Sequence, residues 1–190
     1  QSSVQEQTQS LYVQSQWDFE AMAFPVQVNA GLRYEQTDVV STVKQRVEKQ
    51  VNWESASEWI MKYQAAGTDD FLSLEGDHDL LLPMLDIKVD VTDDVVARFS
   101  WGKTIARAPL GNLAGGRSLS GSPKPGSRTG GQGNPSLLPF TSTNLDLAFE
   151  YYYADGSYAS LGYFKKDVDN FIKTTITQTT IEGLHDILEG

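Results

Sequence analysis

Hydrophobic and polar residues alternate with a period of two along six segments of the chain. The clearest segment reads VQVNAGLRYE at residues 26–35, with apolar residues at the even positions and mostly polar residues at the odd ones. Because successive side chains of a strand point to opposite faces, each segment predicts a strand with one apolar and one polar face. The pattern predicts six strands, near residues 8–19, 25–36, 83–91, 95–104, 143–153 and 157–168.

The connections between these strands alternate in length. Short links at residues 18–25, 92–94 and 154–156 indicate hairpin turns, and the last two contain the Asp and Gly residues that tolerate turn dihedrals. Long stretches at residues 37–82 and 105–141 separate the hairpins, and both exceed the roughly 12–15 residues that loops of compact domains usually span. Short turns at one end and long loops at the other are typical of bacterial outer-membrane barrels.

The two long stretches differ in character. Within the first, residues 52–64 predict a possible short helix with Trp59, Ile60 and Tyr63 on one face. Within the second, residues 111–135 hold eight of the sixteen glycines of the chain. Such a composition buries little apolar surface, so we predict a mobile loop rich in glycine and proline over residues 105–141.

The polar positions that alternate with the apolar ones in each predicted strand, which we call the polar parity, carry the charged residues. They are Arg33, Glu35, Asp86, Lys88, Asp90, Arg98, Asp146 and Glu150. The opposite parity is almost free of charge and carries aromatic residues near the strand ends. In a transmembrane barrel the apolar face meets lipid, aromatic girdles mark the interfaces and the polar face lines the lumen. A soluble β-sandwich gives the same alternation, with the apolar face as its core. Strand length and loop asymmetry favour the barrel.

Composition excludes several classes of protein. The chain has no cysteine, which rules out a disulfide scaffold, a thiolate zinc site, an iron–sulfur cluster and a cysteine nucleophile. Its net charge of −10 and scattered basic residues argue against nonspecific nucleic-acid binding, which needs clustered Lys and Arg. No apolar run approaches the roughly 18–20 residues of a membrane helix.

Three blocks of sequence carry a family likeness. Residues 82–113 begin with LPML, contain a TDD turn and continue into WGKTIARAP, which is similar to an S-K-T-x-A-R-P segment. Residues 133–172 begin with GNPSLLP, continue into DLAFEYYY and end in FKKDVDNFI, and residues 28–42 contain GLRYEQT. In this order and spacing the blocks resemble the β-barrel of TonB-dependent outer-membrane receptors. Within that family they are most similar to the proteobacterial subgroup linked to carbohydrate uptake.

The resemblance implies an all-β protein, an antiparallel up-and-down meander forming part of a large transmembrane barrel with long extracellular loops. It implies a receptor in the bacterial outer membrane, not an enzyme, that imports a nutrient such as a carbohydrate or an iron chelate. Its partners would be the imported ligand, outer-membrane lipid and the TonB complex, which acts through a plug domain that we do not find in this sequence. Because closing even the smallest barrel takes about eight strands, we expect these 190 residues to be a segment of the barrel.

The long stretches contain the candidate ligand-binding residues. Trp53, Trp59 and Tyr63 could stack on sugar rings, or instead pack a short helix onto the rim of the barrel. Arg117 and Arg128 could meet an anionic ligand such as a siderophore, or instead be solvated surface charges. The eight charged residues of the polar parity would line the lumen.

The sequence shows neither a catalytic nor a metal-binding constellation. The acidic residues between positions 69 and 79 do not match a calcium loop, and His78 and His185 lack ligand partners at suitable spacing. We therefore expect no metal and no cofactor. A hydrolase with paired carboxylates, such as Asp86 and Asp90, would need a cleft around them. The main alternative to a receptor is a soluble all-β binding module, such as a carbohydrate-binding sandwich that uses the aromatic loop.

Overall fold

The computed structural model describes residues 2–45, 48–53, 55, 59–65, 70–119 and 129–178. In chain order the elements are β1 (Ser2–Ala21), β2 (Phe24–Gln45), β3 (Glu48–Trp53), β4 (Trp59–Tyr63), β5 (Asp70–Thr92), β6 (Val95–Ala106), the short helix α1 (Leu110–Leu113), β7 (Arg117–Leu119), β8 (Gly130–Gln132), β9 (Phe140–Ala154) and β10 (Ser157–Asp169). The part of the chain described here includes no helix long and apolar enough to cross a membrane.

Six strands form one antiparallel sheet in the order β1-β2-β5-β6-β9-β10. Strands β3 and β4 pair separately, as do β7 and β8. The predicted all-β antiparallel meander is therefore confirmed. The sheet is open, because β1 and β10 are its two edges and each pairs with a single neighbour among the described strands.

The β2–β5 hairpin is longer than the sequence predicted. Its register is continuous from Val26 opposite Val89 to Gln45 opposite Asp70. Strand β1 follows this extension and begins at Ser2, opposite Val43. The prediction of a long loop over residues 37–82 is thus wrong for residues 37–45 and 70–82. Side chains of these residues point alternately to the two faces, as in any strand. Polar residues occupy both faces, however, so the sequence shows no alternation of hydrophobic and polar residues there.

The prediction of a helix at residues 52–64 is also wrong for the described residues. Strands β3 and β4 form an antiparallel hairpin, with Val51 opposite Met61 and Asn52 opposite Ile60. Valine, isoleucine and aromatic side chains favour extended backbone, and cross-strand pairing buries them better than a short isolated helix does. Residues 54 and 56–58, which the predicted helix included, lie outside the described part of the chain.

The apolar face of the sheet has no layer packed against it in the described structure. Leu161 is 74% exposed and Phe149 56% exposed, and Tyr163 and Leu11 also lie open on this face. A β-sandwich would bury such a face in its core. The largest buried cluster lies on the opposite face and consists of Val39, Ala108 and Leu113.

Three tight turns join the strands at one end of the sheet, after β1, β5 and β9. The link expected over residues 18–25 narrows to two residues, Met22 and Ala23, with φ angles of 52° and 70°. Two-residue hairpin turns of type I′ need positive φ at both central positions and favour Asn-Gly. Met22 and Ala23 therefore hold a backbone conformation that side chains with a Cβ adopt at a cost.

The double variant Met22→Asn/Ala23→Gly is expected to stabilise the protein by about 1 kcal/mol, because Asn and Gly accept the left-handed conformation more readily. The denaturant midpoint of the full-length protein refolded in detergent measures this gain. The matched control is Asp93→Asn/Asp94→Gly, at a turn whose residues have no positive φ. An equal gain in both variants would contradict the strain at residues 22 and 23.

Candidate functional site

The sheet register places all eight charged residues of the polar parity on one face, which we call the polar face. Residues directly opposite each other in an antiparallel sheet share a face. One row across the sheet runs from Asn29 through Asp86 and Ser100 to Asp146. The next row joins Gln27, Lys88, Arg98 and Ala148, and Arg33, Glu35, Asp90 and Glu150 have the same parity.

The half of the polar face near the tight turns is open and carries short ion pairs. Lys88 Nζ lies 3.0 Å from Asp90 Oδ1, and Arg98 Nε lies 3.0 Å from Glu150 Oε1. The Tyr152 hydroxyl donates a hydrogen bond of 2.9 Å to Glu150 Oε2. A shallow groove beside these pairs is lined by Gln16, Gln27, Asn29, Asp86, Lys88 and Arg98, among others. Because these charges are partly exposed, this half of the polar face is a hydrated surface rather than a packed core.

The half of the polar face far from the tight turns is covered by residues 107–119 and 129–139, which we call the strap. Beneath it, four successive polar-face residues of β2 are almost completely buried: Glu35, Thr37, Val39 and Ser41, with exposed fractions of 3%, 0%, 1% and 0%. Ala108 and Leu113 of the strap pack against Val39, and Leu137 joins the same cluster.

A buried carboxylate anchors the start of the strap. Arg107 Nη2 donates a hydrogen bond of 2.5 Å to Glu35 Oε1 and one of 3.1 Å to Thr8 Oγ1. Arg33 Nη2 lies 2.8 Å from the other carboxylate oxygen, Glu35 Oε2. The Glu35 side chain is only 4% exposed, so the two guanidinium groups compensate a charge that water reaches poorly.

Three further contacts hold the strap along its length. The Gly115 amide donates to Ser41 Oγ at 2.8 Å, and the Arg117 amide donates to Gln45 Oε1 at 3.2 Å. Arg117 Nη2 donates to Glu48 Oε2 at 2.7 Å, while Arg117 Nε is buried without a hydrogen-bond partner. Arg117, a candidate for contact with an anionic ligand or for a solvated surface charge, instead forms a structural ion pair with a carboxylate that is 6% exposed.

The strap lies so close to the sheet that two glycines stand at the contacts. A Cβ atom at Gly76 would stand 2.5 Å from the Pro135 carbonyl oxygen, and one at Gly115 would stand 2.6 Å from Leu74 Cδ1. Residues 107–119 form the first limb of the strap and residues 129–139 the second. A Cβ atom at Gly133, in the second limb, would overlap the Ala114 carbonyl of the first. The stretch predicted as a mobile loop is thus packed against the sheet at residues 107–119 and 129–139, because these glycines permit close approach.

The structure places the predicted aromatic candidates on the β3–β4 hairpin. Trp53 and Trp59 are directly opposite in the register, although their side chains lie outside what the structure describes. Tyr63 is 38% exposed and stands opposite Glu48. Because Glu48 also binds Arg117, the hairpin and the strap meet at this carboxylate.

The other singled-out residues do not assemble into a site. Glu75, Asp77 and Asp79 are exposed along β5, on the face opposite the strap, rather than in a loop. Asp69, Arg128 and His185 lie outside the described residues. Within the described ranges, no three His, Asp or Glu side chains are arranged to hold a metal ion.

Sequence reasoning missed the residues that anchor the strap. They are Thr8, Ser41, Gln45, Glu48 and Arg107. Residues 35–41 gave no signal of hydrophobic alternation, because polar residues occupy both faces of β2 there, and only the register shows that the strand continues. Arg107 belongs to the WGKTIARAP segment, which indicated the family but not the role of this arginine.

Comparison with known proteins gives one result. A family model described as TonB dependent receptor-like, beta-barrel, matches residues 1–185. No curated protein and no solved structure gave a significant match. The matched range includes all six strands of the sheet and the whole strap.

Substituting Gly76→Ala is expected to lift the strap, because the added methyl group meets the Pro135 carbonyl, a backbone group that cannot turn aside. Tryptic cleavage after Arg117 of the full-length protein should become several-fold faster. Gly131→Ala is the matched control, since its Cβ would meet only Ser118 Oγ at 3.6 Å. Equal cleavage rates in both variants would contradict the close seating of the strap.

Proposed function

The chain belongs to the TonB-dependent receptor β-barrel family, and from that membership we propose that it forms wall strands of an outer-membrane receptor that imports a carbohydrate or an iron chelate. The family implies nutrient transport across the outer membrane and not enzymatic activity. The observation that carries the proposal is the family match over residues 1–185, on a sheet with one charged and one exposed apolar face.

The apolar face supports the membrane location. On β2 the apolar positions run from Phe24 to Tyr34, about the 9–11 residues that a tilted strand needs to cross the hydrocarbon region. Aromatic residues stand at both ends of the band, with Tyr34 and Trp101 at one and Tyr151 at the other. This is the arrangement of lipid-facing strands between two interfacial girdles.

The offset of this band between strands gives the tilt expected of a barrel. The row through Leu145 on β9 passes through Trp101 and Leu85 and meets β2 at Ala30. On β2, however, the apolar positions continue four residues further, to Tyr34. Four residues rise roughly 14 Å and three strand spacings span roughly 14 Å, so a level band crosses the strands at about 45°. Membrane barrels tilt their strands by about 35–45°.

The polar face supports an aqueous interior. The ion pairs near the tight turns are partly exposed and the groove beside them is shallow, as expected for a surface that meets water and other polar groups. In the proposed receptor seven of the eight charged residues of this face line the lumen, and Glu35 lies behind the strap because it is buried there. The TonB complex would act through a plug domain seated in that lumen, and outer-membrane lipid would cover the apolar face.

The alternative of a soluble carbohydrate-binding sandwich is less well supported. A sandwich needs a second layer over the apolar face, and the described residues supply none. The family match also covers the strands themselves rather than a loop motif.

A carbohydrate is the better-supported ligand class. The β3–β4 hairpin lies at the end of the sheet away from the tight turns, which is the extracellular end in bacterial barrels. Trp53, Trp59 and Tyr63 on this hairpin supply aromatic groups suited to sugar rings. Arg117, the described arginine proposed for an anionic chelate, is already paired with Glu48. Arg128 lies outside the described residues, and we retain it as a proposed contact for an anionic ligand.

Deleting the full-length gene in the producing bacterium tests the proposed function. Uptake of radiolabelled oligosaccharides and ferric chelates by whole cells is measured with and without a protonophore. We expect one oligosaccharide class to lose energy-dependent uptake in the deletion strain, with ferric chelates unaffected. Unchanged uptake of every compound, or a gene product outside the outer membrane, would overturn the proposal. Loss of chelate uptake alone would overturn the carbohydrate assignment.

Leu147→Arg should impair insertion of the receptor, since a charge on the lipid face near mid-membrane costs roughly 2–4 kcal/mol. Asp146→Arg is the control, because it adds the same side chain one residue away on the polar face. The measurement is the fraction of protein that runs as the compact, heat-modifiable species from outer membranes. If both variants assembled equally, Leu147 would not face lipid.

A further inference from the structure

We propose that the strap is a fixed part of the inner wall, positioned by the buried ion pair between Glu35 and Arg107, and is not a lid that opens during transport. The inference rests on the contacts of the strap. It takes from the proposed function only that the polar face lines a lumen and that the strap lies at its extracellular end.

The anchors are spread along the whole first limb of the strap. Arg107 binds Glu35 immediately after β6 ends, Gly115 binds Ser41, and Arg117 binds Glu48. A hinged lid needs a free portion beyond its hinge. Here the described residues 107–119 are fixed to β2 and β3 at three successive points, so this part of the strap has no free portion between its first and last anchors.

The second limb is fixed both to the first limb and to the sheet. The Asn134 amide donates to the Asn112 carbonyl at 2.8 Å, and Gln132 Nε2 donates to the Gly115 carbonyl at 3.0 Å. Asn170, just beyond β10, donates from Nδ2 to the Pro139 carbonyl at 3.1 Å. Segments that open readily have few buried contacts, whereas the strap is buried at five positions along its two parts: Ala108, Leu113, Gly115, Pro135 and Pro139.

The apolar contacts join strands that are distant in the sheet. Val4 of β1, Val39 of β2 and Ile172, which follows β10, pack in one cluster around Ala108 and Leu113. Three strands separate β2 from β10, so this contact is made through the strap. Lifting the strap would expose this cluster and release the end of β10.

Glu35 is the charge on which this position depends. Its carboxylate is shared between Arg33, on its own strand, and Arg107, on the strap. Glu6 contributes less, because its Oε1 lies 4.0 Å from Arg107 Nε. Neutralising Glu35 leaves two guanidinium groups facing each other without the anion between them. Arg107 is therefore a positioning residue that acts through the strap.

Thiol labelling of the full-length receptor tests this directly, in a background with no other reactive surface thiol. Val39→Cys places the reporter on the wall beneath the strap, and Asp77→Cys places a reference on the exposed face at a similar level. The probe is a membrane-impermeant maleimide applied to whole cells. We expect Val39→Cys to react at least about tenfold more slowly than Asp77→Cys. Equal rates would overturn the seating of the strap.

The role of the ion pair is tested in the same assay. Glu35→Gln and Arg107→Gln are expected to speed labelling of Val39→Cys several-fold, and Arg107→Lys to restore much of the protection because it keeps the charge. Glu150→Gln is the matched control, since it removes an equivalent arginine pair on the polar face away from the strap. Unchanged protection in Glu35→Gln and Arg107→Gln would overturn the assignment.

The claim that the strap stays fixed has its own readout. Labelling of Val39→Cys should be the same in energised cells taking up nutrients and in cells treated with a protonophore. Faster labelling in the energised cells would identify a moving lid and overturn the proposal. Purified receptor in detergent is labelled in parallel, so the seating of the strap is measured even if the protein is found outside the outer membrane.

Discussion

The register between β2 and β5 is the constraint on which the rest of the structure depends. Twenty residue pairs, from Val26 opposite Val89 to Gln45 opposite Asp70, fix which side chains share a face. A slip of one residue would move charged residues such as Lys88 onto the apolar face. Because membrane-facing strands must satisfy their backbone hydrogen bonds within the sheet, the cost of such a slip falls on both the backbone and the side chains.

The same register gives the polar face two environments. Near the tight turns, Arg98 and Glu150 pair on an open wall, with the carboxylate side chain 19% exposed. Farther along, Glu35 pairs with Arg107 beneath the strap and is 4% exposed. Both are arginine–glutamate pairs of similar length, yet burial gives them different roles. The exposed pair leaves the wall hydrated, whereas the buried pair determines where a whole segment lies.

Period-two alternation was sufficient to predict the six strands, because each has an apolar side such as that of Val26, Val28 and Leu32. It did not predict their lengths. Beyond residue 36, Thr37 and Ser41 are polar yet buried, since a segment seventy residues later covers them. The helix expected near Trp59 failed for a related reason, because the pairing partner of each hairpin strand outweighs a short helical pattern. The family likeness was recovered from motifs, whereas the anchors of the strap required the packed structure.

Arg117 and Gly76 show why site residues are harder to predict than strands. An arginine among glycines suggests an accessible charge, but the Arg117 side chain binds Glu48, which is almost seventy residues away in the sequence. Gly76 lies within a strand, where glycine ordinarily weakens pairing, and its reason is the backbone of Pro135. In both cases the residue is explained by a contact distant in sequence. A stretch rich in glycine and proline can therefore be a packed element, provided that the surface it covers offers small residues for close approach and polar partners for its backbone and side chains.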